Sequence, residues 1–127
     1  YIKIMKAVLL VKPDSRSSVF PYLLPAELNL YTTDETNVLI SGIYDGNTTP
    51  ALQTGSLYID ALYGENTSYS YDITSFINTK LAEGQFSKSA LLLSPSVSSL
   101  DAGPQRLIVN DETAGRSVQL KLYVLGL

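Results

Sequence analysis

With no His and no Cys among its 127 residues, this chain can attempt catalysis only through paired carboxylates, a Ser-Lys pair or a bound metal. The adjacent acidic pairs are Asp34-Glu35 and Asp111-Glu112, in the polar stretches TTDETN and NDETAG. A general acid and base need surroundings that drive their pKa values apart. Neighbouring carboxylates in a solvated turn lack such surroundings, so both pairs read as turn residues. The chain is expected to be a non-enzyme with no catalytic residue.

Loop oxygens suit calcium, which takes carboxylate and carbonyl ligands. YDGNTT offers Asp45 and Asn47, and SLDAG offers Asp101. Two or three ligands fall short of a defined calcium loop, and Asp-Gly-Asn is equally plain turn chemistry. The expectation is no cofactor, with a structural calcium at Asp45, Asn47 and Asp101 as the alternative. Nine Tyr invite a second reading, because aromatic faces stack on sugar rings while the hydroxyl stays in water. Tyr63, Tyr69 and Tyr71 cluster around GENTS, flanked by Tyr44 and Tyr58. Tyr69 and Tyr71 also alternate with Ile73, so the competing expectation packs them into a sheet with their hydroxyls at its rim. NTT at Asn47 and NTS at Asn66 fit the N-glycosylation acceptor pattern, which Asn- and Thr-rich loops often produce by chance.

Bulk properties narrow the class. At 127 residues, 45% of them hydrophobic and 17% charged, the chain can form one domain over residues 1–127 that buries roughly two thirds of its extended surface. No apolar run approaches the length of a membrane span. A net charge of -3 with scattered Lys and Arg offers a phosphate backbone no attraction, which argues against nucleic acid. Opening at Tyr1, already inside an apolar strand pattern, the chain reads as the C-terminal part of a longer protein.

The elements that must position these residues are mostly strands. The continuous run Ala7 to Val11 suits a central strand over residues 2–12, covered on both faces. PDSRSSVFPYLLP carries Pro13, Pro21 and Pro25 and reads as a loop. AELNLYTT, VLISGIY, SLYIDAL, the Tyr69-Tyr71-Ile73 alternation, SALLLSP and RLIVN supply short strands. SVQLKLYVL is the cleanest half-buried pattern, with Val118, Leu120, Leu122 and Val124 alternating against Gln119, Lys121 and Tyr123. Seven to nine strands predict an all-β fold, an antiparallel sandwich of jelly-roll type.

One helix interrupts them. Ile73, Phe76, Ile77 and Leu81 fall at i, i+3, i+4 and i+8, a single stripe along a helix near residues 74–83. Asp72 or Thr74 can accept from its free N–H groups, and Gly84 supplies a left-handed end. The expected role is a lid over the open end of the sandwich. The lid is expected to bury Phe76, Ile77 and Leu81, so Phe76→Ala should cost about 3 to 5 kcal/mol.

The succession of Asp72, the Ile73-Thr74 pair, a short helix closing on Gly84, then ALLLSP, RLIVN and LKLYV resembles the C-terminal part of an uncharacterised family of Bacteroidota surface lipoproteins. More distantly it is similar to the jelly-roll modules of secreted glycan-active enzymes, which share the Asp-Val/Ile-Thr step and an opening strand like IMKAVLLV. Those modules commonly carry Trp near the step; this chain has none. The resemblance implies an extracytoplasmic protein, anchored to the envelope or outer membrane through a region upstream.

Together these readings predict a non-catalytic structural or adhesive module of a cell-surface protein. Its partners would be a glycan or another surface protein, with no membrane span in this segment. One alternative is a carbohydrate-binding module. Another is an assembly subunit in which the apolar strand 2–12 serves strand addition through unpaired backbone groups.

Overall fold

Alternation on two faces organises the structure, a computed structural model describing residues 2–44, 52–63, 66–84, 90–96, 103–110 and 117–126. β1 (Ile2–Val11) is central in its sheet, between β5 (Ser68–Asp72) and β7 (Val118–Gly126). Cross-strand pairs Val11 with Tyr69, and Val11 with Val118, set its antiparallel registers. A bulge between Ile4 and Lys6 inserts one residue, so Ile4 and Ala7 point to the same face despite their odd separation. β7 pairs one edge of β1 along Ile2–Val11 and β5 the other along Val8–Val11, with Thr74 and Ile73 taking the Ala7 N–H and carbonyl. Over residues 7–11 the expectation of free backbone groups for strand addition is therefore corrected. Nor is β1 covered on both faces. Ile4, Ala7 and Val11 are buried, whereas Val8 and Leu10 on the outer face are half-buried.

β4 (Ser56–Tyr58) extends the first sheet beyond β5, giving the order β4-β5-β1-β7. The second sheet has the order β3-β2-β6, from β2 (Leu28–Thr33), β3 (Leu39–Gly42) and β6 (Ala90–Pro95). All these ladders are antiparallel. Leu28 and Leu30 of β2 meet Tyr69, Tyr71 and Ile73 in one buried cluster with β1. The fold is thus an all-β sandwich of two antiparallel sheets with one short helix.

One flank of the sandwich is strapped shut. After β3, the segment 52–55 crosses between layers: its Gln53 and Thr54 carbonyls accept from the Leu30 and Leu28 N–H groups at 3.2 and 2.8 Å. The Gln53 side chain then holds both backbone groups of Asp72 in β5, accepting from its N–H and donating to its carbonyl. On the other flank lie the edge strands β6 and β7. There Val118, Leu120, Leu122 and Val124 are all exposed, which corrects the half-buried reading of that strand. Among the described residues the first sheet has four strands and the second three, and the inward row of β7 is left exposed.

RLIVN forms no ladder. Residues 105–110 hang instead on the loop after β1: Leu23 bridges Gln105, the Asp14 N–H donates to the Ile108 carbonyl at 2.8 Å, and the Ile108 N–H donates to Ser17 Oγ at 2.8 Å. With its backbone groups taken by a turn and a hydroxyl, the segment has no strand to join.

α1 (Thr74–Glu83) begins where β5 ends. Its first turn is fixed by Thr74, whose hydroxyl accepts from the Ala7 N–H at 2.9 Å and donates to Asp72 at 2.6 Å. Gly84, at φ 63°, closes the last turn in the left-handed conformation and donates to the Leu81 carbonyl. The lid is shallower than its spacing predicts. Phe76 and Ile77 pack half-buried against the core, and Leu81 is 61% exposed.

Candidate binding groove

The helix leaves a groove between itself and β3. Ile40, Ser41 and Tyr44 line one wall; Ser75, Phe76, Thr79, Lys80 and Glu83 line the other, around a volume of about 380 Å³. Ser75 and Thr79 stand four residues apart, so helical geometry turns both hydroxyls to the same side. The Thr32 and Ser41 hydroxyls, in hydrogen-bond contact at 3.2 Å, add two more oxygens opposite them. Phe76 supplies an apolar floor anchored on the core, and Tyr44 a half-exposed ring at the rim. Lys80 lies 5.8 Å above the Phe76 ring and 3.4 Å from Glu83, so the wall's two charges face each other. This lining of hydroxyls, aromatic faces and a self-compensated ion pair suits a neutral polar ligand.

Apart from Glu83 in the groove wall, four aspartates, Asp14, Asp34, Asp60 and Asp72, are engaged elsewhere, in the turns they build. Asp34 accepts from the Thr36 N–H and hydroxyl, both at 2.8 Å, and from the Val38 N–H at 2.9 Å. Those bonds hold its pKa below the ordinary carboxylate value. Asp14 is held far lower, by hydrogen bonds from the Arg16 side chain and backbone and from Asn110. Asp72 is lowered by its bonds from Thr74, helped by the charge of Lys6. Asp60 accepts from the Leu62, Tyr63 and Asn66 N–H groups at 3.1 to 3.3 Å and shapes the loop before β5.

The three tyrosines expected to form a sugar platform are separated by burial. Tyr69 and Tyr71 are 0% and 1% exposed. Their hydroxyls donate to the Pro25 and Leu28 carbonyls across the interlayer space. Neither ring can present a face to a ligand, so the platform reading is corrected. The competing one describes the packed rings, but it too is corrected in placing the hydroxyls at the sheet's rim, since both are buried between the layers. Burial pushes Tyr69 up to about 12 and raises Tyr71 further, with the neighbouring Tyr69 adding to the shift. Tyr63 alone of the three is on the surface, 75% exposed in the loop shaped by Asp60.

Asp45, Asn47 and Asp101, the calcium candidates, lie outside the described residues, as do Asp111 and Glu112. Among the described residues, no group of three or more acidic side chains is placed to hold a metal ion. Also among them, no helix is long and apolar enough to cross a membrane. Sequence reasoning missed the groove. The Ser75-Thr79 spacing was a readable signal; the position of Tyr44 opposite it was not, because that depends on how β3 packs. Comparison with protein-family models, curated proteins and solved structures found no match to the chain.

Proposed function

We propose that this chain is a non-catalytic adhesive β-sandwich module of an exported cell-surface protein, and that the groove between α1 and β3 holds a neutral saccharide. The observation that supports it is the composition of the groove walls: hydroxyls from Ser41, Ser75 and Thr79 beside the rings of Tyr44 and Phe76. Sugar recognition combines such hydroxyl contacts with aromatic stacking. The volume of about 380 Å³ lies at the lower end of small-ligand sites, enough for a short segment of a glycan chain. Non-catalytic binding accords with Asp34, Asp60 and Asp72 accepting bonds from their own turns and with the groove's Glu83 paired to Lys80. The surface setting rests on the resemblance to envelope lipoproteins and glycan-associated modules. The module needs no cofactor.

The test is a glycan array followed by affinity gels containing the best polysaccharide. Retardation of the wild-type chain that falls at least about tenfold in Tyr44→Ala, while Tyr63→Ala binds as the wild type does, supports the groove. Absence of retardation on every glycan, or equal loss in both variants, removes it and leaves a structural spacer.

A further inference from the structure

β7 is a nine-residue edge strand with a single charge, Lys121, and no proline. Edge strands are ordinarily blunted by charges, proline or short length, because their outward N–H and C=O groups invite another strand. β7 has none of these protections beyond Lys121. Its inward row, Val118, Leu120, Leu122 and Val124, is 46–56% exposed. Each member pairs across the ladder with an apolar residue of β1: Val11, Leu9, Ala7 and Ile4. On the other face Tyr123 and Leu125 are also half-exposed. The inward face is thus an exposed apolar row, the outer face mixes Gln119 and Lys121 with Tyr123 and Leu125, and among the described residues no strand pairs with the free edge.

We infer that β7 is a self-association edge, pairing antiparallel with β7 of a second copy about a two-fold axis through Leu122. The strand's own sequence selects this register. Pairing all nine residues, Val118 to Gly126, centres the contact on Leu122, sets Leu120 against Val124 of the second copy, and keeps the two inward rows on one face. The same register places each Lys121 opposite Tyr123 of the other copy, where an ammonium and an aromatic face attract. Moving the axis to Lys121 sets the two lysines against each other, which is unfavourable across a strand pair. The six half-exposed apolar residues of β7 expose roughly 500 Å² per copy, so edge pairing buries at most ~1,000 Å² in all, the scale of a weak, reversible interface. The product is a continuous eight-stranded sheet, β4-β5-β1-β7-β7-β1-β5-β4, with an isologous contact.

Sedimentation equilibrium of the 127-residue chain over a range of concentrations tests this, with circular dichroism to verify that each variant is folded. A reversible dimer is expected. Tyr123→Lys sets lysines opposite each other twice and should raise the dimer dissociation constant at least ~tenfold; adding Lys121→Glu to that variant should restore the dimer through two opposite-charge pairs. A monomer at every concentration overturns the inference. So does a dimer indifferent to Tyr123→Lys, or one that the double substitution fails to restore. Glycan binding through the α1–β3 groove is measured separately, and its outcome does not bear on this one.

Discussion

The Tyr71 hydroxyl donates to the Leu28 carbonyl at 2.8 Å, joining β5 of one sheet to β2 of the other through the middle of the core. A buried polar group is tolerated there only because it is paired. Tyr71→Phe keeps the ring and removes the donor. It should destabilise the domain by about 1–2 kcal/mol in urea unfolding, and an unchanged midpoint would mean that the bond contributes nothing.

The two buried tyrosines also set an alkaline limit. A phenol whose folded pKa lies above its unfolded value of 10.0 keeps its proton in the native state while the unfolded chain loses it. Their contribution is complete below pH 10 and declines as pH rises from there toward the folded values, about 12 for Tyr69 and higher for Tyr71. The urea midpoint should therefore fall between pH 10 and 12, and in the Tyr69→Phe/Tyr71→Phe double variant that fall should be smaller.

Gly55 and Gly84 both have positive φ, 76° and 63°, but different surroundings. A Cβ on Gly55 would lie 2.7 Å from the Tyr71 hydroxyl and 2.8 Å from its ring, whereas one on Gly84 meets nothing within 4 Å. Backbone strain applies to both; a clash with a buried ring applies to one. Gly55→Ala should cost about 2–4 kcal/mol and Gly84→Ala about 1 kcal/mol by denaturant titration. Equal losses would show that the close approach to Tyr71 is relieved at no expense.

The helix stripe gives a graded prediction. Because Phe76 is half-buried, Phe76→Ala should cost about 1.5–3 kcal/mol, below the range for a filled core site, and Leu81→Ser, at an exposed position, within about 0.5 kcal/mol. A large loss at Leu81 in thermal unfolding would place that side chain in a packed environment.

Much of the fold was legible because local periodicity is a local property. The apolar run of β1, the Leu28-Leu30 and Tyr69-Tyr71-Ile73 alternations and the Gly84 helix end each depend on residues a few positions apart, and each is present. The tyrosine platform failed for the same reason it was attractive. Nearness in sequence brought Tyr63, Tyr69 and Tyr71 together, whereas the pleat turned two of them inward and left the third in a loop. The groove depends on β3 approaching α1 across more than thirty intervening residues, and nothing local encodes that approach.

By itself, the sequence determined that this is a β-protein with one capped helix, and, outside the bulge of β1, which side chains share a face of a strand, since backbone geometry alternates side chains with a period of two. It could not determine which of those faces would be covered. The rows Tyr69-Tyr71-Ile73 and Val118-Leu120-Leu122-Val124 alternate equally well, yet one is buried and the other exposed. Only the tertiary structure decided between them, because burial requires a second layer overhead, and among the described residues the three-stranded sheet leaves the β7 row of its four-stranded partner exposed.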